Sequence, residues 1–113
     1  MLARANRVVR ADDFRTAVRK GKRVGSPHAV VYLHTRTLGD PTRFGFIVAK
    51  TVGNSVHRNL VRRRLRSVGH DLLTQYPFGT DIVIRALPGS DTVSWATLHE
   101  EISAGIDRGV SKR

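Results

Sequence analysis

The sequence contains no cysteine, which excludes disulfides, thiolate-ligated metals and a cysteine nucleophile together. It also lacks long apolar runs. Stretches such as Ala29-Val30-Val31-Tyr32-Leu33 fall far short of the roughly 18 residues a membrane span needs. Residues 1–7 hold no apolar stretch of signal-peptide length, so the expected setting is cytoplasmic, with no membrane partner. Internal repeats and low-complexity tracts are absent. Acidic residues are scarce, nine against 20 Lys+Arg, for a formal charge of +11 over 113 residues. That length suits one domain spanning 1–113. With 40% hydrophobic residues the chain can bury a core, so the charge does not mark a disordered basic tail. A small folded domain with this surplus is suited to neutralising a polyanion.

Motifs of protein-based catalysis are missing too. There is no Gly-x-Gly-x-x-Gly, no nucleoside-triphosphate loop, no His-Glu-x-x-His and no nucleophile elbow. His28, His34, His57, His70 and His99 show no metal-ligand spacing. His28 and His34 fall on one face of a strand and read as unbonded surface histidines. No catalytic or metal-ligating residue is therefore assigned to the protein.

The charge that is present is lopsided. Residues 1–70 carry 16 Lys+Arg against three Asp, a surplus of 13, whereas residues 71–113 carry four against six acids. Asp12-Asp13 precede Phe14, Ala17 and Val18, an i, i+3, i+4 apolar set stopped by Gly21, which predicts a first helix with acids at its positive end. Residues 28–35 and 43–50 are rich in β-branched and aromatic residues around the turn Leu38-Gly39-Asp40-Pro41, and predict an antiparallel hairpin. Gly53-Asn54-Ser55 offers an N-cap for a helix from Val56 to Tyr76, ended by Pro77 and Gly79. A strand over 81–87 would pair with 43–50 through that helix as a βαβ unit, right-handed by the general rule. Trp95, Leu98, Ile102 and Ile106 mark the inner stripe of a last helix, with Glu100 and Glu101 on its solvated face. The order predicts an α+β domain.

At about 100° per residue, Val61, Leu65, Val68, Leu72 and Tyr76 share one arc and form a buried stripe. Beside it Asn59, Arg62, Arg63 and Arg66 share a solvent-facing strip, with Arg58 at its edge and Arg64 toward the other flank. Three guanidinium forks in register match a phosphate ladder. His57, Arg58, Arg62 and Arg63 also crowd a helix N-terminus, against its dipole. Only Asp71 is near enough along the helix to pair with any of them. A bound polyanion resolves the conflict, since the N–H groups of Gly53 to Val56 attract phosphate as well.

The run Val52-Gly53-Asn54-Ser55-Val56-His57-Arg58-Asn59-Leu60-Val61-Arg62-Arg63-Arg64-Leu65-Arg66 resembles the Arg-Asn signature of the bacterial ribonuclease P protein family. The likeness continues upstream through Phe14, Gly21, Val30-Val31-Tyr32 and Gly45, covering roughly residues 7–87. The resemblance implies a mixed four-stranded sheet covered by three helices, order α-β-β-β-α-β-α, with a left-handed crossover. It implies contact with a catalytic RNA subunit through Arg58, Asn59, Arg62, Arg63 and Arg66, with Lys50 on the preceding strand. It further implies a cleft for the single-stranded 5′ leader of precursor tRNA at Phe14, Val18, Val30 and Tyr32. Hydrolysis would then belong to the RNA subunit with bound Mg2+, and the protein would strengthen substrate and metal binding.

Three positions depart from the family pattern. Leu60 stands where Arg is usual, lowering the phosphate-contact count by one, with Arg64 as the candidate to compensate. Thr51 replaces a common lysine. Val18 takes a place often held by Phe and has no ring to stack. The competing reading is a non-catalytic structural RNA-binding protein of ribosomal type. That would explain the charge and the arginine helix but not the cleft positions or the motif order.

Overall fold

The computed structural model describes residues 2–111; Met1, Lys112 and Arg113, counted in the domain span 1–113, lie outside the described residues. Three helices and four strands follow in the order α1 (Ala11–Lys20), β1 (Lys22–Gly25), β2 (Ala29–Thr35), β3 (Arg43–Ile47), α2 (Ser55–Leu72), β4 (Thr80–Ala86) and α3 (Trp95–Ser111). The α+β class, the mixed four-stranded sheet and the expected element order are all present.

The sheet order is β1-β2-β4-β3, which overturns the hairpin expected between 28–35 and 43–50. These strands are not neighbours. β4 lies between them, antiparallel to β2 and parallel to β3, so the βαβ pairing of 43–50 with 81–87 does form. The reason is burial: Ile82, Val83 and Ile84 are all at most 1% exposed, and a strand apolar on both faces belongs inside the sheet. The 36–42 connection accordingly spends its backbone bonds on the approach to β4. Arg36 N–H donates to Gly79, Thr42 N–H to Pro77, and Gly79 N–H to Asp40. β3 ends at Ile47, so Lys50 lies in a 3-10 turn over Lys50–Val52 rather than on a strand.

Alternation along the strands divides the core into two clusters. On one face Val31, Leu33, Phe44, Ile82 and Ile84 meet Val61, Leu65, Val68 and Leu72 of α2 and Leu98, Ile102 and Ile106 of α3. On the other, Val30, Tyr32 and Val83 meet Ala17 of α1 and Val8, with Phe14 and Ile47 packed against them. Gly45 of β3 faces this second cluster, and a side chain there would stand 2.6 Å from the Phe14 ring.

Trp95, expected in the inner stripe of α3, is 38% exposed and lies against His99 with ring centroids 4.9 Å apart. Glu101, expected on the solvated face, accepts the His28 backbone N–H at 2.9 Å and pairs with the His28 ring at 2.6 Å. His28 is thus bonded rather than free. Burial pushes the Glu101 carboxyl up, but the bonds from the His28 ring and backbone outweigh it and hold the group below the usual glutamate range. A depressed carboxylate stabilises the fold above its unfolded pKa, and that contribution is lost as pH falls through the lower folded value. The stability advantage of the wild type over Glu101→Gln should therefore be full near neutrality and shrink below about pH 4. Urea titrations of both proteins across pH 3 to 7 check this, and a pH-independent gap would contradict it.

Candidate nucleic-acid interface

The polar strip of α2 is fixed by what the helix buries. Val61, Leu65, Val68 and Leu72 are fully buried, which sets the rotation that turns Asn59, Arg63 and Arg66 to solvent. The start is fixed as well. Asn54 caps the helix by accepting the His57 N–H at 3.1 Å, after Gly53 at φ 151°, a backbone region open to glycine. The Gly53 N–H is not available to an anion, since it donates to the Lys50 carbonyl. The helix ends at Leu72 rather than Tyr76, although Tyr76 still packs against the core.

The strip is partly preorganised. Arg62 donates to Asn59 Oδ1 at 3.2 Å and reaches the Val48 carbonyl at 3.5 Å. Arg63 and Arg66 are exposed, Lys50 is exposed at the foot of the helix, and Arg58 is half-buried. The Arg58 Nε is enclosed and has no hydrogen-bond partner among the described residues. Acids are engaged elsewhere: Asp12 with Arg15, Asp13 and Asp81 with Arg43, and Asp40 with Arg36. Asp71 pairs with His99, Asp91 with His57 and Glu101 with His28, while Asp107 accepts from Tyr76. Among the described residues no carboxylate pairs with Arg58, Arg62, Arg63 or Arg66. Arg64 does not replace the cation missing at Leu60, because its guanidinium donates to the Val93 carbonyl at 2.6 Å. It ties α2 to the segment before α3.

The second set of expected residues meets on the opposite sheet face. Phe14, Val30 and Tyr32 pack together, whereas Val18 is 37% exposed on α1. Tyr32 is only 4% exposed, so it supplies a wall more than an open stacking platform. Sequence reasoning missed Arg85, exposed on β4 with Nη1 3.5 Å from the Tyr32 hydroxyl. Its signal was a lone cation at the outward register of an apolar strand. The reading also missed the bidentate clamp of Arg43 on Asp81, at 2.8 and 2.7 Å. That hydrogen bonding raises the Arg43 pKa further.

No group of three or more His, Asp or Glu that could hold a metal exists among the described residues. Asp13, Asp40 and Asp81, which come nearest to one another around Arg36 and Arg43, are spent on those guanidiniums. Among the described residues none are therefore grouped to form a Mg2+ site. Among the described residues no helix is long and apolar enough to cross a membrane.

The Ribonuclease P family model matches residues 2–109. The chain is 51% identical over 110 residues to the ribonuclease P protein component of Clavibacter michiganensis subsp. michiganensis, covering 97% of each. It is 45% identical over 112 residues to that of Pseudarthrobacter chlorophenolicus, covering 99% of this chain and 82% of the relative. Among solved structures, the Staphylococcus aureus protein superposes with a TM-score of 0.78 at 23% identity, over 92% of this chain and 94% of that one. The Thermotoga maritima protein gives 0.76 at 24% identity, over 87% and 92%. At that identity these two establish the fold.

The different anchoring of neighbouring arginines predicts different behaviour toward a polyanion. Arg63→Ala and Arg66→Ala should each weaken binding to a structured RNA and reduce the slope of log K against log salt by about 0.7 to 0.9. Arg64→Ala should leave that slope unchanged and lower thermal stability instead. Filter binding at several salt concentrations, with a melting curve for each variant, separates the two classes. An equal fall in slope for Arg64→Ala would place its side chain on the RNA.

Proposed function

Because the chain belongs to the ribonuclease P protein family, we propose that it is the protein subunit of a ribonucleoprotein that removes the 5′ leader from precursor tRNA. In this reading the ribonuclease P RNA carries out the phosphodiester hydrolysis with Mg2+ held by RNA and substrate. The protein binds that RNA through Lys50, Arg58, Asn59, Arg62, Arg63 and Arg66, and the leader through the face lined by Phe14, Val18, Val30 and Tyr32. The observation that carries the proposal is the guanidinium strip left without carboxylate partners among the described residues, in a chain whose acids other than the exposed Glu100 are bonded elsewhere. Such a strip repels itself until phosphates are laid along it. Counterion release then favours association.

The leader face works by a different balance. Its exposed members are Val18 at the rim and Arg85 on β4, so a single strand passing there meets one apolar edge and one cation above a closed apolar floor. That suits an unpaired strand read by stacking and charge rather than by base-edge hydrogen bonds. A cytoplasmic location accords with this substrate. The competing reading, a structural RNA-binding protein, accounts for the strip but gives the leader face no task.

The decisive experiment is reconstitution. Protein and ribonuclease P RNA together should remove the leader at a low Mg2+ concentration at which the RNA alone is slow, whereas the protein alone should not cut precursor tRNA. Metal-dependent cleavage by an RNA-free preparation would overturn the assignment. Val18→Glu places a carboxylate on the exposed rim without emptying the core. It should weaken the holoenzyme's binding of precursor tRNA severalfold while sparing mature tRNA. Equal losses for both would remove the leader from this face.

A further inference from the structure

A third feature lies between the two surfaces, at the edge of the sheet. β3 is an edge strand, and the N-terminal segment runs beside its start, where the Val8 N–H donates to the Phe44 carbonyl at 2.9 Å and Arg7 bridges to Phe44. Beyond that bridge the edge opens into a cavity of about 210 Å³. Arg7 contributes from the N-terminal segment, Arg62 and Arg66 from α2, and Phe14, Gly45 and Phe46 from the packed interior. The cavity shares Phe14 with the leader face and Arg62 and Arg66 with the strip of α2, while Val30 and Tyr32 take no part in it; Arg7, Gly45 and Phe46 belong to neither surface.

Two properties restrict what this cavity can hold. Three arginines from two separate elements line it, none paired with a carboxylate among the described residues, which calls for an anion. The wall beneath them is aromatic, with Phe46 half-buried and the Phe14 ring seated where Gly45 has no side chain, which calls for a flat apolar ring. The volume lies below the 300 to 1,000 Å³ of drug-sized ligand pockets, so a dinucleotide cofactor is too large. We propose that the cavity takes a single unpaired nucleotide of an RNA strand, its phosphate on Arg7, Arg62 and Arg66 and its base against Phe14 and Phe46. The identity of the strand as RNA rests on the function proposed above. Arg7 then becomes a binding residue that no helical pattern in the sequence marked.

The test is a titration of isotope-labelled protein, followed by amide NMR, with adenosine 5′-monophosphate and with ribose 5-phosphate, which carries the same phosphate and no base. Adenosine 5′-monophosphate should shift the amides of Arg7, Gly45 and Phe46 and bind roughly fivefold or more tightly than ribose 5-phosphate, the base supplying the difference by stacking. Arg7→Ala, at an exposed position that does not threaten folding, should weaken both ligands. Phe14→Leu should erase the difference between them. A single-stranded hexaribonucleotide should displace the mononucleotide. Equal affinity for the two phosphates would reduce the cavity to a simple anion site and overturn the proposal, as would shifts confined to other residues. Failure of displacement would assign the cavity to a free nucleotide and overturn the RNA occupant. No ribonuclease P RNA is present in the titration, so a failed reconstitution and a failed titration are separate results.

Discussion

The packing of Val61, Leu65, Val68 and Leu72 against the sheet is the contact on which the rest of this molecule depends. It joins β3 to β4 through a helix that must fill the core, and it fixes the rotation of that helix to within the tolerance of a close-packed interior. Every group on the outer strip of α2 takes its direction from this burial. The same helix therefore provides both a large share of the core and the most concentrated charge. A change in the packing of one face is felt on the other.

Charge is allotted with similar economy. Most of the acids are spent on structural tasks: Asp81 holds Arg43 near the start of β4, Glu101 holds His28 ahead of β2, and Asp91 holds His57 beside the capping segment. This leaves the outer arginines of α2 uncompensated by design of the fold rather than by excess of cations alone. Arg64 shows the distinction. One residue from Arg63 in sequence, it faces the segment before α3 and donates to a backbone carbonyl. Adjacent arginines thus serve opposite purposes, one toward solvent and one toward the interior.

Much of this was legible in the amino-acid order. The 3.6-residue spacing of Val61, Leu65, Val68 and Leu72 located the buried stripe, and the same arithmetic located the strip beside it, because both depend only on helical geometry. The cap at Asn54 was legible from its side chain. The neighbour of β2 was not, since short-range turn composition at 38–41 suggested a hairpin while the deciding factor was the two-sided burial of a strand 40 residues later. Tertiary hydrogen bonds were equally hidden: nothing local to Arg64 announces Val93, and nothing local to His28 announces Glu101. Phe14, Val30 and Tyr32 were grouped by resemblance, and the fold does bring them together, but Tyr32 is covered to a degree its place on a strand did not suggest. Arg85 escaped notice because a single cation in an apolar strand carries no periodic signal.

The junction at Gly53 and Asn54 has a consequence for how this sequence can change. The cap fixes where α2 begins, and the core fixes how it is turned, so the spacing between them acts as a vernier. One residue inserted between Asn59 and Val61 would rotate the first turns by about 100° and carry Arg58 and Asn59 away from Arg63 and Arg66. Seven inserted residues would restore the alignment to within about 20°, at the cost of a longer lever. Length variation is therefore filtered here by phase, and the loops at 36–42 and 87–94, which set no such angle for α2, are the places where the chain can grow without turning its charges out of line.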